Sequence, residues 1–248
     1  MKPALKLEHV NLSYGTVSAL EDVSLIIPRQ TRTAIVGPNG AGKSSLMKAV
    51  LGLETVTNGR IELLGESGNI AQIVEKKVAY IPQSSRVNWN FPATVFEIVL
   101  MGRYAHINNI LKRPSRLDKE IVDAALEKMN LQEVRNRQID QLSGGQRQRV
   151  FIARSLAQEA ELYFMDEPLA GIDQLTETII MDTLKEFQAQ GKTSIVIHHD
   201  LSTLSTYFDH LVWLNRGIVD AGPLSEVLTE NNYQKTYGVQ AQTFLMEK

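Results

Sequence analysis

The segment Gly37-Pro38-Asn39-Gly40-Ala41-Gly42-Lys43-Ser44 fits the pattern G-x-x-x-x-G-K-[ST], with Ser45 directly behind it. Residues of this kind at this spacing bind phosphate. The glycines let backbone N–H groups converge on phosphate oxygens at a helix N-terminus, the lysine reaches the β- and γ-phosphates, and the serine hydroxyl of Ser44 is offered to Mg²⁺. A second group of chemical interest closes the apolar run Leu162-Tyr163-Phe164-Met165, where Asp166 and Glu167 stand side by side. A carboxylate ending a buried strand lies at the sheet edge where open α/β folds bind ligands, so Asp166 is expected to hold Mg²⁺, directly or through water. Between the two lies Leu142-Ser143-Gly144-Gly145-Gln146. Ser143 sits where a helix N-cap belongs, and with the Gly144 and Gly145 amides it offers a second anion-binding surface.

A phosphate loop alone says only that a nucleoside triphosphate binds. The loop, the Ser143–Gln146 segment and the Asp166-Glu167 pair together, at these spacings, resemble the ATP-binding cassette subunit of an ABC transporter, over roughly residues 5–230. The resemblance implies binding and hydrolysis of ATP with Mg²⁺. It makes Glu167 the general base that polarises the attacking water, and Ser143, Gly144, Gly145 and Gln146 the signature motif that closes on the γ-phosphate held by an opposite subunit. The working unit is then two copies arranged head to tail.

Three further positions match one by one. Tyr14, before Gly15, sits where an aromatic stacks on adenine, with plain edge packing as the alternative. Gln83, after Ile81-Pro82, matches the glutamine that senses Mg²⁺ and the attacking water. His199, before Asp200, matches the switch histidine at the γ-phosphate, and strand alternation turns His198 to the other face. One departure stands out: the loop after Glu167 reads Leu169-Ala170-Gly171-Ile172-Asp173, where the family often has Ser-Ala-Leu-Asp. Asp173 is retained; the glycine leaves the loop's conformation open.

The elements that must position these groups follow from periodicity. Residues 5 to 36 read as β structure, with Leu5–Val10 alternating and Thr33–Val36 leading into the phosphate loop. A helix follows from Lys43 to about Leu51, then strands near 60–64 and 78–82. From about 84 to 157 the pattern becomes helical, with Leu117, Ile121, Ala124, Ala125 and Lys128 or Met129 as an apolar face. Leu162–Met165 and Ser194–Ile197 read as strands buried on both sides, with a helix near 174–190 between them. The expected fold is α/β: a P-loop NTPase core of the ABC ATPase kind, with an N-terminal antiparallel β subdomain and an inserted helical subdomain. The whole of 1–248 reads as one nucleotide-binding domain, with the helical subdomain at about 84–157 and a tail at about 233–248.

Composition narrows the partners. Lys and Arg total 26 against 28 Asp and Glu, a net charge of −2, which gives no electrostatic reason to expect nucleic acid. The absence of cysteine removes thiolates as metal ligands and fits a reducing compartment. No leader pattern opens the chain and no apolar stretch approaches the roughly 18 residues of a spanning helix, so any membrane association is expected to come through a partner.

The segment Asn88-Trp89-Asn90-Phe91-Pro92-Ala93-Thr94-Val95, leading into Val99–Tyr104, resembles ATPases of bacterial manganese, zinc and iron importers, with ferric-siderophore and vitamin B12 importers as near neighbours. The partners implied are integral-membrane permease subunits and, indirectly, an extracytoplasmic metal-binding protein, with the chain peripheral on the cytoplasmic face. Trp89 and Phe91 either present an apolar patch to a permease helix or pack inside the helical subdomain. The transported metal itself finds no ligand cage in this sequence. Export stands as an alternative. An ATPase of translation or repair is disfavoured because those relatives carry two cassettes or a coiled-coil insertion. A binding module without turnover is disfavoured by Glu167 and His199.

Overall fold

Leu162 and Phe164 pack into one hydrophobic cluster, Tyr163 and Met165 into another, and all four are buried. Successive side chains of a strand point to opposite faces, so a strand covered on both sides must be an unbroken apolar run. The same split separates Ile35 from Ala34 and Val36, Ile195 and Ile197 from Val196, and Val212 and Leu214 from Leu211 and Trp213. These strands form the middle of a two-sided sheet.

The structure is a computed structural model that describes residues 2–83, 87–90, 92–107 and 113–238. In chain order the elements are β1 (Leu5–Tyr14), β2 (Val17–Ile27), β3 (Arg32–Val36), α1 (Lys43–Val50), β4 (Asn58–Leu63), α2 (Ile70–Lys77), β5 (Val78–Ile81) and α3 (Val95–Met101). There follow α4 (Arg116–Lys128), α5 (Gly144–Ala157), β6 (Leu162–Asp166), α6 (Gln174–Ala189), β7 (Thr193–Ile197), α7 (Leu204–Tyr207), β8 (His210–Asn215), β9 (Gly217–Pro223), α8 (Leu224–Val227) and α9 (Glu230–Tyr237).

Among the described residues, six strands make the main sheet in the order β5-β6-β7-β3-β8-β9. All neighbours are parallel except β9, which runs antiparallel to β8. A separate antiparallel sheet has the order β2-β1-β4. Its inward residues, such as Leu5, Leu7 and Leu25, share a core with Leu46, Met47 and Val50 of α1 and with one face of the main sheet. Helices α3 to α6 contribute to the core on the other face.

Helices α3, α4 and α5 each open on a capping box: Thr94 with Glu97, Ser115 with Asp118, and Ser143 with Gln146. Each pair satisfies two backbone donors that a helix start otherwise leaves orphaned. Arg103 then ties the subdomain together. Its buried guanidinium bonds Asp118 Oδ1 at 3.0 Å, the Ala157 carbonyl at 2.8 Å and Glu159 Oε2 at 2.6 Å. A buried cation with this many partners links the end of α3, the start of α4 and the end of α5.

That network corrects the expected face of α4. Asp118, held by Ser115 and Arg103, faces inward, and the stripe in register with it is Val122, Ala125 and Met129, joined by Leu126. Leu117 is 61% exposed and Ala124 is exposed too. Position 233 falls inside α9, whose Tyr237 meets Trp213 edge-on at 6.4 Å while Asn215 Nδ2 donates to the Thr236 carbonyl at 3.1 Å. Among the described residues no helix is long and apolar enough to cross a membrane.

Candidate functional site

Four neighbouring strands end at one edge of the main sheet, and each delivers a residue singled out by the sequence. In spatial order, β5 leads to Gln83, β6 to Asp166 and Glu167, β7 to His199, and β3 to the phosphate loop. These residues are far apart in sequence, and parallel pairing brings them together at the carboxyl ends of the strands, where α/β sheets bind ligands.

The loop after β3 is shaped by its glycines. Gly42 has φ of 92°, and a Cβ there would stand 2.4 Å from the Ala19 carbonyl oxygen, so neither the conformation nor the space admits a side chain. The N–H groups at the start of α1 open onto a cleft of about 170 Å³ lined by residues 39–45 and Glu167. Lys43 is only 7% exposed and its ammonium donates to the carbonyls of Gly37 at 2.6 Å and Pro38 at 3.0 Å. Burial pushes the Lys43 ammonium below its ordinary pKa, while the negative charges of Glu167 and Asp166 oppose that shift.

Glu167 is the focus of the site. Gln83 Nε2 donates to its Oε2 at 2.7 Å, and His199 Nε2 lies 2.5 Å from its Oε1. Its backbone has φ of 52°, in the left-handed region that a side chain with a Cβ seldom occupies. Such a residue stores roughly 1–3 kcal/mol of strain and persists only where its surroundings hold it. Here the Ala170 N–H closes a turn onto the Glu167 carbonyl at 3.2 Å. Asp166, at the end of β6, is buried beside it. His198 turns the other way, as alternation requires: its ring is buried and packs on Phe208.

The loop left open by the sequence takes a definite shape. Gly171 adopts φ of 70°, and Asp173 caps α6, accepting from the Thr176 N–H and hydroxyl, both at 2.9 Å. Those two hydrogen bonds hold the Asp173 carboxyl below the usual carboxylate range. The same carboxylate presses on the signature segment. A Cβ on Gly145 would come within 2.9 Å of Asp173 Oδ2 and 3.1 Å of Thr176 Oγ1, so the starts of α5 and α6 meet closely here and a larger residue would push these side chains aside.

Ser143 accepts from the Gln146 N–H at 3.2 Å and its own N–H donates to Gln146 Oε1 at 3.0 Å, so the helix start is built as expected. Ser143, Gly144, Gly145 and Gln146 do not line the cleft at the start of α1 in their own chain. Tyr14 closes β1 opposite Val17 at the tip of a hairpin, and both are exposed, Tyr14 at 43%.

Trp89 departs from the exposed patch offered as one reading. It is half-buried, edge-on to Phe151 at 5.3 Å, with the Arg147 guanidinium 5.1 Å from its ring centroid. Phe91 lies outside the described residues. Sequence reasoning missed the larger groove nearby. About 690 Å³ in volume, it is bordered by Met101, Tyr104 and Ile107 on one side and by Arg154 and Gln158 at the end of α5 on the other. Tyr104 is 56% exposed there. The signal was the stretch Val99–Tyr104, already conspicuous in the sequence but not placed on a surface.

The model of the ABC transporter family matches residues 20–170. The manganese transport system ATP-binding protein MntB of Bacillus subtilis is 45% identical over 244 residues, covering 98% of this chain and 96% of that protein. The zinc transport system ATP-binding protein TroB of Treponema pallidum is 43% identical over 235 residues, covering 95% of this chain and 87% of that protein. Among solved structures, an inward-facing putative metal-chelate type ABC transporter aligns with a TM-score of 0.82 at 26% identity, covering 96% of this chain and 90% of that one. A dimeric ATP-binding cassette in a post-hydrolysis state, bound to ADP and Pi, aligns with a TM-score of 0.76 at 26% identity, covering 89% and 98%.

Proposed function

This chain belongs to the ABC transporter family as one of its ATPases, and from that premise we propose that its hydrolysis of ATP drives import of a divalent transition metal ion, manganese first and zinc or iron next. The observation that carries the choice of cargo is the similarity over nearly the whole chain to ATP-binding proteins named for manganese and zinc transport.

In this reading residues 1–248 form a single nucleotide-binding domain. Tyr14 stacks on adenine, residues 37–45 cradle the phosphates and Lys43 stabilises the β- and γ-phosphate charge. Glu167 takes the proton of the attacking water, with Gln83 and His199 orienting its carboxylate. Phosphoryl transfer asks for positioning and charge stabilisation more than for nucleophilic strength, and a clasped carboxylate beside a preformed anion cradle supplies both.

The residues assigned to Mg²⁺ fit a hard cation, since Ser44, Asp166 and Gln83 all offer oxygen. Gln83 spends its amide N–H on Glu167, which leaves the amide oxygen for the cation. The ion would neutralise charge on the β- and γ-phosphates.

The signature residues do not line their own chain's cleft, which supports a second copy supplying its phosphate loop across a head-to-tail interface. The groove beside Tyr104 suits a cytoplasmic helix of a membrane permease. Arg154 and Gln158, on the groove, and Ser143, at the signature, stand at opposite ends of α5, so one rigid helix joins the two. The subunit is then peripheral on the cytoplasmic face, and an extracytoplasmic metal-binding protein feeds the permease.

Reconstitution with the permease in proteoliposomes tests the function. Manganese uptake should require Mg-ATP on the side of this subunit. Uptake of a ferric siderophore or vitamin B12 in place of free metal ions would move the chain to the neighbouring branch.

A further inference from the structure

We infer that His198 is a positioning residue for hydrolysis, fixing the place of His199 through a hydrogen-bonded ring that spans it. The inference rests on the reading above, in which His199 serves the hydrolytic site.

The register of β7 persists beyond its last residue. The His198 N–H donates to the Ile35 carbonyl at 3.1 Å, so side chains go on alternating. Val196 packs on the face that holds Phe208, Ile197 on the opposite face, and His198 returns to the first. Its ring is 5% exposed and 5.2 Å from the Phe208 ring. His199 is thereby thrown to the side of Glu167.

The bonds of the His198 ring go where packing alone has no need of them. Its Nε2 lies 2.8 Å from Thr203 Oγ1, and the Thr203 hydroxyl donates its single proton to the Asp200 carbonyl at 3.0 Å. His198 Nε2 and Thr203 Oγ1 thus share one hydrogen bond, and the His198 ring also meets the backbone of Asp200. Asp200 in turn accepts from the Ser202 N–H at 2.9 Å and the Ser202 hydroxyl at 2.6 Å. The residue before His199 and the residue after it are thus joined through Thr203, which removes most of the backbone freedom of His199 itself. A phenylalanine fills the same space against Phe208 without burying a polar ring, so the bond to Thr203 distinguishes histidine here from an ordinary core residue.

Burial holds the His198 pKa below the usual histidine value against Asp200 and Glu177, which raise it, and with His199, which lowers it further. Held below the ordinary 6.5, the ring is neutral near pH 7.

His198→Phe keeps the packing and removes the bond; Thr203→Val removes the same bond and leaves His198 in place. With the purified chain, each single variant should lower kcat for ATP hydrolysis by about tenfold to a hundredfold, the range expected when a catalytic group moves by up to an ångström. KM for Mg-ATP should stay within about twofold and melting temperature within a few degrees, and the double variant should be no worse than the weaker single. The His199 ring signals in ¹H–¹⁵N spectra should shift in Thr203→Val. Unchanged kcat and unmoved His199 signals in both singles would reduce His198 to core packing, and fully additive losses would break the ring argued above. His199→Ala is the control beneath it. If that variant hydrolyses ATP normally, the assignment of His199 fails and the catalytic role of His198 with it, whereas the ring signals still report whether Thr203 sets the place of His199.

Discussion

His199 Nε2 stands 2.5 Å from one carboxylate oxygen of Glu167, and Gln83 Nε2 holds the other at 2.7 Å. With both oxygens engaged, the carboxylate has one orientation, and its left-handed backbone leaves it little alternative. In the mechanism proposed above, a general base held in this way must exchange one of these partners for the attacking water. Hydrolysis then depends on Gln83 or His199 moving aside when nucleotide and a second copy close the site.

Glu167→Gln keeps an acceptor for Gln83 but cannot take a proton. Hydrolysis should fall by about 10²–10⁴-fold while ATP stays bound. Two such subunits should then remain closed on two nucleotides. Gel filtration in Mg-ATP should show a dimer that wild type does not accumulate. A Gln variant that turns over normally would remove Glu167 from the mechanism.

Lys43→Ala should fail differently. The free chain loses an ammonium bonded to two loop carbonyls but also sheds a buried charge, so its melting temperature should move little. The nucleotide loses its direct cation, and calorimetric titration with ATP should show binding weakened by at least about tenfold, since hydrogen bonds to charged groups contribute roughly 1.5–3 kcal/mol. Tight ATP binding with lost hydrolysis would instead give Lys43 a role in the transition state alone.

Much of this site was legible because its chemistry is written in short local patterns. Gly37–Ser44 needs only its own backbone, and Leu162–Asp166 announces a two-sided strand by unbroken apolarity. Alternation sends His198 and His199 to opposite faces, and the position of His199 before Asp200 chose between them. The rotation of α4 was only partly legible: the expected stripe held Ala125 and Met129, which are buried, beside Leu117 and Ala124, which are exposed. The choice was made by Asp118 meeting Arg103, a contact between elements. The run His210–Leu214 carries the same two-sided signature as β6 and was readable, whereas β9 is half-exposed along its length and has no such signature. Trp89 was ambiguous for a similar reason: whether a lone aromatic faces solvent or Phe151 is decided by α5, more than fifty residues away.

Stability should depend on pH with a sign fixed by two histidines. Burial holds both His198 and His210 below the ordinary value of 6.5. Below that value the unfolded chain binds protons that the folded chain refuses, so stability is full above about pH 6.5 and declines as pH falls toward the folded pKa values. Asp118 and Asp173 are also held low, and their contribution is full above about pH 4 and lost only in stronger acid. Melting temperature should therefore be level from pH 7 to 8, fall between 6.5 and 5, and fall again below 4. His198→Phe should flatten the first decline. A profile that rises on acidification to pH 5.5 would contradict the buried, neutral state of these rings.

The proposed permease surface offers the sharpest contrast between two aromatics on one subdomain. Trp89 packs edge-on to Phe151 under Arg147, whereas Tyr104 stands exposed on the groove at the end of α5. Trp89→Ser should remove about 2 kcal/mol of packing, less than a fully buried tryptophan, and lower the melting temperature by roughly 4–8 °C. Tyr104 is 56% exposed, so Tyr104→Ser removes little packing in the free chain, and basal hydrolysis and melting temperature should stay close to wild type. In the assembled transporter Tyr104→Ser should lose stimulation by the permease and metal uptake, because an interface aromatic typically contributes 2 kcal/mol or more, about a 30-fold change in affinity. Melting curves beside uptake assays separate the two residues. Normal uptake with Tyr104→Ser and lost uptake with an undestabilised Trp89→Ser would return the docking surface to Trp89.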